Sequence, residues 1–149
     1  MEWNESYNIG IDVIDHQHRQ ILDYINALDQ IRISGDRHKI QEILDDLIDY
    51  TQSHFSFEEN LLEQVMYQYL PSHKGIHDIF VKRLNEYRHR FAKGEAVEND
   101  LHRLLSKWLI NHIQHDDQDY VLSVRENMLR YLQAQEKKKG KSWFARFFK

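Results

Sequence analysis

The chain has no cysteine among its 149 residues, one proline and five glycines. Without cysteine there are no disulfides, thiolate zinc sites or thiol nucleophiles, which accords with a reducing compartment. So few prolines and glycines favour long helices over many short strands. No apolar run approaches the length needed to cross a bilayer. The opening MEWNESYNIG is acidic and polar, unlike the basic-then-apolar pattern of a secretory signal. These absences point to the cytoplasm. The length suits one domain with a sizeable core.

What is present is uneven in charge. The formal net charge is −4, yet residues 137–149 hold Lys137, Lys138, Lys139, Lys141, Arg146 and Lys149 with no acid, a local +6. Residues 1–136 therefore carry −10. An acidic body binds nucleic acid poorly, so no nucleic-acid partner is expected. The charge boundary divides the chain into a folded domain over 1–136 and a basic, aromatic tail over 137–149.

Helical periodicity is strong in four places. Ile14, His18, Ile21, Ile25 and Leu28 form the first run, which ends near Gly35. The second holds Ile40, Ile43, Leu47, Thr51, His54, Glu58, Leu61 and Val65. The third follows Pro71 and Ser72, carries His73, His77, Phe80, Leu84 and Phe91, and stops at Lys93-Gly94. The fourth contains Leu101, Leu105, Trp108 and His112 and continues less regularly through Tyr120, Val124 and Met128. Residues 1–12 read as an extended arm. Short connections favour antiparallel neighbours, hence an all-α, up-down-up-down four-helix bundle.

The apolar stripes include His18, His54, Glu58, His73, His77 and His112. Burying one such group without a partner costs roughly 1–3 kcal/mol, so this many must be satisfied together, most economically by a metal centre. Their heights agree. In antiparallel helices, residues equidistant from the connecting turn lie level, because the rise per residue is constant. His18 and His54 have their midpoint at residue 36, beside Gly35; His77 and His112 have theirs between 94 and 95, beside Gly94. His54 and His77 centre between 65 and 66, whereas the breaker signals lie at 68–72. That offset of about three residues is roughly 5 Å along a helix axis. His54 with Glu58, and His73 with His77, share a face one turn apart. On the fourth helix, Asp117 lies about 140° out of phase with His112, and Asp116 fits an ideal helix better. An inward Asp117 requires a π-type turn near 112–117. A regular helix would turn Asp116 inward.

The segments IDVIDHQH (11–18), HFSFEE (54–59), HKGIH (73–77) and WLINHIQHDDQDY (108–120) resemble the hemerythrin family, most closely its single-domain bacterial members, over roughly residues 3–120. The resemblance implies two non-haem irons with an oxo or hydroxo bridge in a four-helix bundle. It assigns His73, His77 and His112 to one iron and His18 and His54 to the other. Glu58 and Asp117 would bridge them, which favours Asp117 over Asp116. It also implies reversible dioxygen binding at the iron with fewer histidines, and it places Phe55, Trp108 and Tyr120 around the oxygen pocket. The family's Tyr-Pro pair before the third-helix histidine is here Tyr67-Gln68, with Pro71 later.

The expected function is therefore non-enzymatic: dioxygen held for storage, delivery or sensing. A di-iron oxidoreductase handling peroxide or nitric oxide, or iron storage and donation, are the alternatives on the same scaffold. His16, His38, His89, His102 and His115 are expected at the surface, and Glu59 as a solvated neighbour of Glu58. The tail lies outside the resemblance. Trp143, Phe144, Phe147 and Phe148 would form one face of a short helix ringed by cations, suited to an anionic membrane surface or a partner's groove. That would put the protein at the inner face of the membrane. The competing expectation is that these aromatics fold back on the bundle.

Overall fold

The computed structural model describes residues 1–136. The residues Trp143, Phe144, Phe147 and Phe148 lie outside the described residues. An N-terminal arm with one 3₁₀ turn, Glu5–Tyr7, leads into α1 (Asp12–Arg32), α2 (Arg37–Gln64), α3 (Leu70–Ala92) and α4 (Glu98–Asn111). A π-helical segment, His112–Asp117, joins α4 to α5 (Gln118–Glu136). Helical dihedrals persist through both junctions, so α4, the π segment and α5 make one continuous rod. α1 packs on α2 and α4, α2 on α3, and α3 on α4, giving the expected antiparallel bundle. No helix among the described residues is long and apolar enough to cross a membrane.

The arm is part of the domain. Ile9 and Ile11 are buried in the common core, and Trp3 and Tyr7 pack against it. Asp15, itself buried, accepts hydrogen bonds from the backbone N–H groups of Ile9 (2.8 Å) and Gly10 (3.1 Å), which ties the arm to the first turn of α1. Gly10 has φ +89°, and the guanidinium of Arg125 occupies the space a Cβ there would need.

Two turns fall where glycine is found: Gly35 at φ +70° and Gly94 at φ +98°. The third has no glycine. α2 ends at Gln64, Met66 takes the left-handed conformation (φ 55°), and Tyr67 N–H donates to Leu62 C=O (2.9 Å). This is the 6→1 closure of a Schellman motif, with methionine in the place glycine usually fills. The connection therefore runs over 65–69, earlier than the breaker residues implied. That correction removes much of the apparent height mismatch between His54 and His77. Pro71 lies inside the first turn of α3 rather than before it, where its missing N–H costs nothing.

Candidate metal centre

All seven residues expected as ligands converge in the middle of the bundle: His18 from α1, His54 and Glu58 from α2, His73 and His77 from α3, and His112 and Asp117 from the two ends of the π segment. None is more than 4% exposed. The π segment answers the phase problem, because one extra residue in the turn brings both His112 and Asp117 to the core face. Asp116 is left at the edge, where its Oδ2 lies 2.8 Å from His112 Nδ1.

The two carboxylates divide the histidines into two sets. Glu58 Oε1 lies 2.6 Å from His73 Nε2 and 3.2 Å from His77 Nε2, while Oε2 lies 3.5 Å from His54 Nε2. Asp117 Oδ1 lies 3.3 Å from His73 Nε2 and 3.1 Å from His112 Nε2, while Oδ2 lies 3.0 Å from His18 Nε2. Each carboxylate thus has one oxygen beside two of His73, His77 and His112 and the other beside one of His18 and His54.

The outer nitrogens fix the direction of the inner ones. His54 Nδ1 faces Gln17 Oε1 (2.7 Å), His77 Nδ1 faces Glu59 Oε2 (2.9 Å), and His112 Nδ1 faces Asp116. An acceptor at Nδ1 holds the proton there and turns the Nε2 lone pair inward, the tautomer that binds metal. Glu59 is therefore no solvated bystander, as its position beside Glu58 implied; it orients His77. Inside, His77 Nε2 and His112 Nε2 stand 3.1 Å apart. Two lone pairs so placed require a positive charge between them, either a proton or a metal.

Electrostatics agree. Burial pulls His112 down, but the charge of Asp117 and the contact with Asp116 raise it to about 10. His73 is likewise raised to about 9, Asp117 and Glu58 outweighing burial. Burial and the Asp117 charge push Glu58 up, yet its contacts with His73 and His77 leave it depressed. Burial pushes Asp117 up too, and the His112 charge holds it well below the usual range. On the other side, burial dominates at His54 and lowers it to about 3, so it is neutral. Both nitrogens of His18, Nε2 of His54 and both oxygens of Asp117 lack a hydrogen-bond partner of good geometry among the described residues. Buried polar atoms left so are costly. Five imidazoles and two carboxylates aimed at one another form two groups that could hold metal ions, His73, His77, His112 and Asp117 with Glu58 in one and His18 and His54 with Glu58 in the other.

A cavity of about 10 Å³ adjoins His18 and His54, close to the minimum that one water molecule needs. Ile21, Ile25, Phe55, Trp108 and Leu109 line it, with Thr51 beside them. Phe55 stacks on His77 (3.7 Å between ring centroids), and Trp108 lies between Phe80 (3.6 Å) and His112 (4.3 Å). Tyr120, expected in this wall, is outside it. Its ring packs on Tyr67 and His73, and its hydroxyl donates to Glu58 Oε2 (3.0 Å). Burial and the Glu58 charge raise the phenol well above its ordinary range, so it remains a donor.

Of the histidines expected at the surface, His16, His38, His89 and His115 are exposed. His102 is partly buried, 3.6 Å from Asp29, with burial lowering its pKa. Gln17, Glu59 and Thr51 were not singled out in the sequence as parts of the site, and Asp116 entered there only as the alternative to Asp117. All four adjoin ligands or lie one turn from them, which is the only signal that Gln17, Glu59 and Thr51 give.

The fold and the site define a class: a four-helix bundle whose core gathers a histidine- and carboxylate-rich cluster that could hold metal ions. Residues 9–121 match the family profile described as the hemerythrin HHE cation binding domain. The chain is 43% identical over 147 residues to the bacteriohemerythrin of Stenotrophomonas maltophilia (strain R551-3), covering 99% of this chain and 94% of that one. It is 44% identical over 147 residues, with the same coverage, to the bacteriohemerythrin of Pseudomonas aeruginosa (strain LESB58). The crystal structure of wild-type hemerythrin superposes with a TM-score of 0.79 at 33% identity, over 83% of this chain and 97% of that one. The chain belongs to the hemerythrin family.

Proposed function

We propose that this protein binds dioxygen reversibly, without catalysis, at two iron ions. His73, His77 and His112 would hold one iron and His18 and His54 the other, with Glu58 and Asp117 spanning the two. The observation that supports this reading is the division of both carboxylates, one oxygen of each near two of His73, His77 and His112 and the other near one of His18 and His54. The two-histidine side has fewer protein ligands and adjoins the cavity, so a small molecule would enter there. When bound, the iron pair supplies the electrons that dioxygen takes up on binding and returns on release.

The chain's own residues do the rest. Ile21, Ile25, Phe55 and Leu109 exclude water from the two-histidine side, which protects a reduced metal from solvent-assisted oxidation. Gln17, Glu59 and Asp116 hold the imidazoles in their binding tautomer. A donor set of five imidazoles and two carboxylates suits iron among several first-row metals. It leaves the metal less electron-rich than a carboxylate-dominated set, which favours holding oxygen over cleaving it. A cavity of about 10 Å³, close to the minimum for one water, leaves no space for an organic reductant.

The test is spectroscopic. Protein loaded anaerobically with ferrous iron should develop a visible charge-transfer band when air is admitted and lose it under argon, over repeated cycles. Immediate conversion to a permanent ferric form would reject oxygen carriage in favour of redox chemistry.

A further inference from the structure

Gln17, Glu59 and Asp116 cap the outer nitrogens of His54, His77 and His112. His73 has no such cap. It bonds through Nε2, its Nδ1 finds no partner among the described residues, and unlike Nδ1 of His18 it is not sealed in the core. His73, itself 4% exposed, meets an open pocket of about 480 Å³ whose wall it shares with Tyr67, Tyr69, Asp116 and Asp119. No lysine or arginine lines that pocket. Asp119 is exposed and makes no ion pair among the described residues, while Asp116 reaches from the wall to His112 through Oδ2. Burial raises the Tyr67 phenol, and the charges of Asp119, Asp116 and Asp117 raise it further, as a negative field in the pocket would. Two other pockets approach the centre and suit a cation less. One, lined by Arg83, Arg103 and Lys107 with Asp100 already paired to Arg103, reaches Trp108 but no ligand. The other meets His77, but Glu59 occupies the outer nitrogen there and Lys82 offsets Asp78 in the wall.

We propose that divalent metal ions enter and leave the centre through this pocket, collected by the exposed Asp119 and delivered past His73. The assignment rests on the metal centre of the function proposed above and not on its dioxygen chemistry. His73 stands on the first turn of α3, beside the 65–69 connection, and helix ends open at the least cost. Asp116 and His73 both touch the three-histidine side, so an ion arrives there first. Carboxylates in a cleft with low-dielectric walls concentrate cations and speed their association. Asp119 is no ligand of the bound ion, so it sets the rate of loading and leaves the affinity alone. Because affinity is the ratio of the two rates, release changes in the same proportion.

The experiment uses cobalt(II), followed by its visible absorption, mixed rapidly with metal-free wild type, Asp119→Lys, Asp119→Asn and Asp78→Lys at low and high salt. Asp78 is also exposed, and its reversal changes the net charge equally beside the pocket at His77. Asp119→Lys should slow uptake at least about five-fold at low salt, and by less at high salt, where screening removes the steering. Asp119→Asn, which keeps the shape and loses the charge, should slow it by a smaller factor. Both should reach the cobalt content and affinity of wild type, and Asp78→Lys should load at the wild-type rate. Equal slowing by Asp119→Lys and Asp78→Lys overturns the assignment, since net charge alone would explain it. So does an unchanged uptake rate in both Asp119 variants, or a weaker affinity at an unchanged uptake rate, which would put Asp119 to work on the bound ion. Wild-type protein that takes up no cobalt overturns the metal centre, and this assignment with it.

Discussion

The hydroxyl of Tyr120 donates across 3.0 Å to Oε2 of Glu58, with both side chains fully buried. That oxygen is the one turned toward His54, so Tyr120, three residues beyond the π segment on α5, steadies a carboxylate on α2 where it would span two metals. Tyr120→Phe should lower metal affinity by about ten-fold or more, the usual effect of losing a hydrogen bond behind a ligand. It should also cost the metal-free fold on the order of 1 kcal/mol. Competition against a chelator and a urea titration measure the two effects separately.

Asp116 should matter in a different way. It orients His112 through Nδ1 while remaining partly accessible. Asp116→Asn keeps an acceptor in place but removes the charge that helps raise His112. The variant should still load metal, with affinity reduced roughly ten-fold by the weaker outer partner. Isothermal titration of ferrous iron under argon checks this.

Metal binding should release protons. In the metal-free fold His73, at about 9, and His112, at about 10, both hold a proton at pH 7, whereas His54, at about 3, does not. A metal must displace the first two and need displace none from His54. Affinity should therefore rise with pH from neutrality toward about 9–10 and fall steadily as pH drops. Titrations in two buffers of different ionisation enthalpy should return close to two protons released per chain loaded.

Met66 carries the left-handed residue that closes α2, yet its side chain is 81% exposed and contributes little to the core. Methionine in this conformation costs about 1 kcal/mol that glycine avoids, part of which glycine returns as chain entropy. Met66→Gly should raise stability by about 0.5 kcal/mol and the thermal midpoint by a few degrees, without altering metal content. A thermal melt of the metal-free protein measures it.

Much of the centre was legible in the sequence because two independent signals coincided. Glycine marked the turns at Gly35 and Gly94, and the histidines sat equidistant from them. An inward Asp117, five residues past His112, required the π segment that the structure has. Less legible was whatever depends on side-chain direction. Met66 ends α2 without the expected glycine, so the α2–α3 turn was misplaced. Glu59 gave no sign that it reaches back to His77, and nothing in the pattern showed that Tyr120 donates to Glu58. Thr51 occupies an ordinary core position in the pattern, and only three-dimensional contacts reveal that its hydroxyl is unpaired.

The most direct measurement is oxygen uptake against iron content. Anaerobic, ferrous-loaded protein is mixed with air-saturated buffer in a closed oxygen electrode, then purged with argon and its released gas collected. Reversible carriage by two irons predicts uptake of one dioxygen for every two irons bound and its recovery as dioxygen on purging. Uptake that is not recovered, or that continues past that ratio with a reductant present, would contradict it.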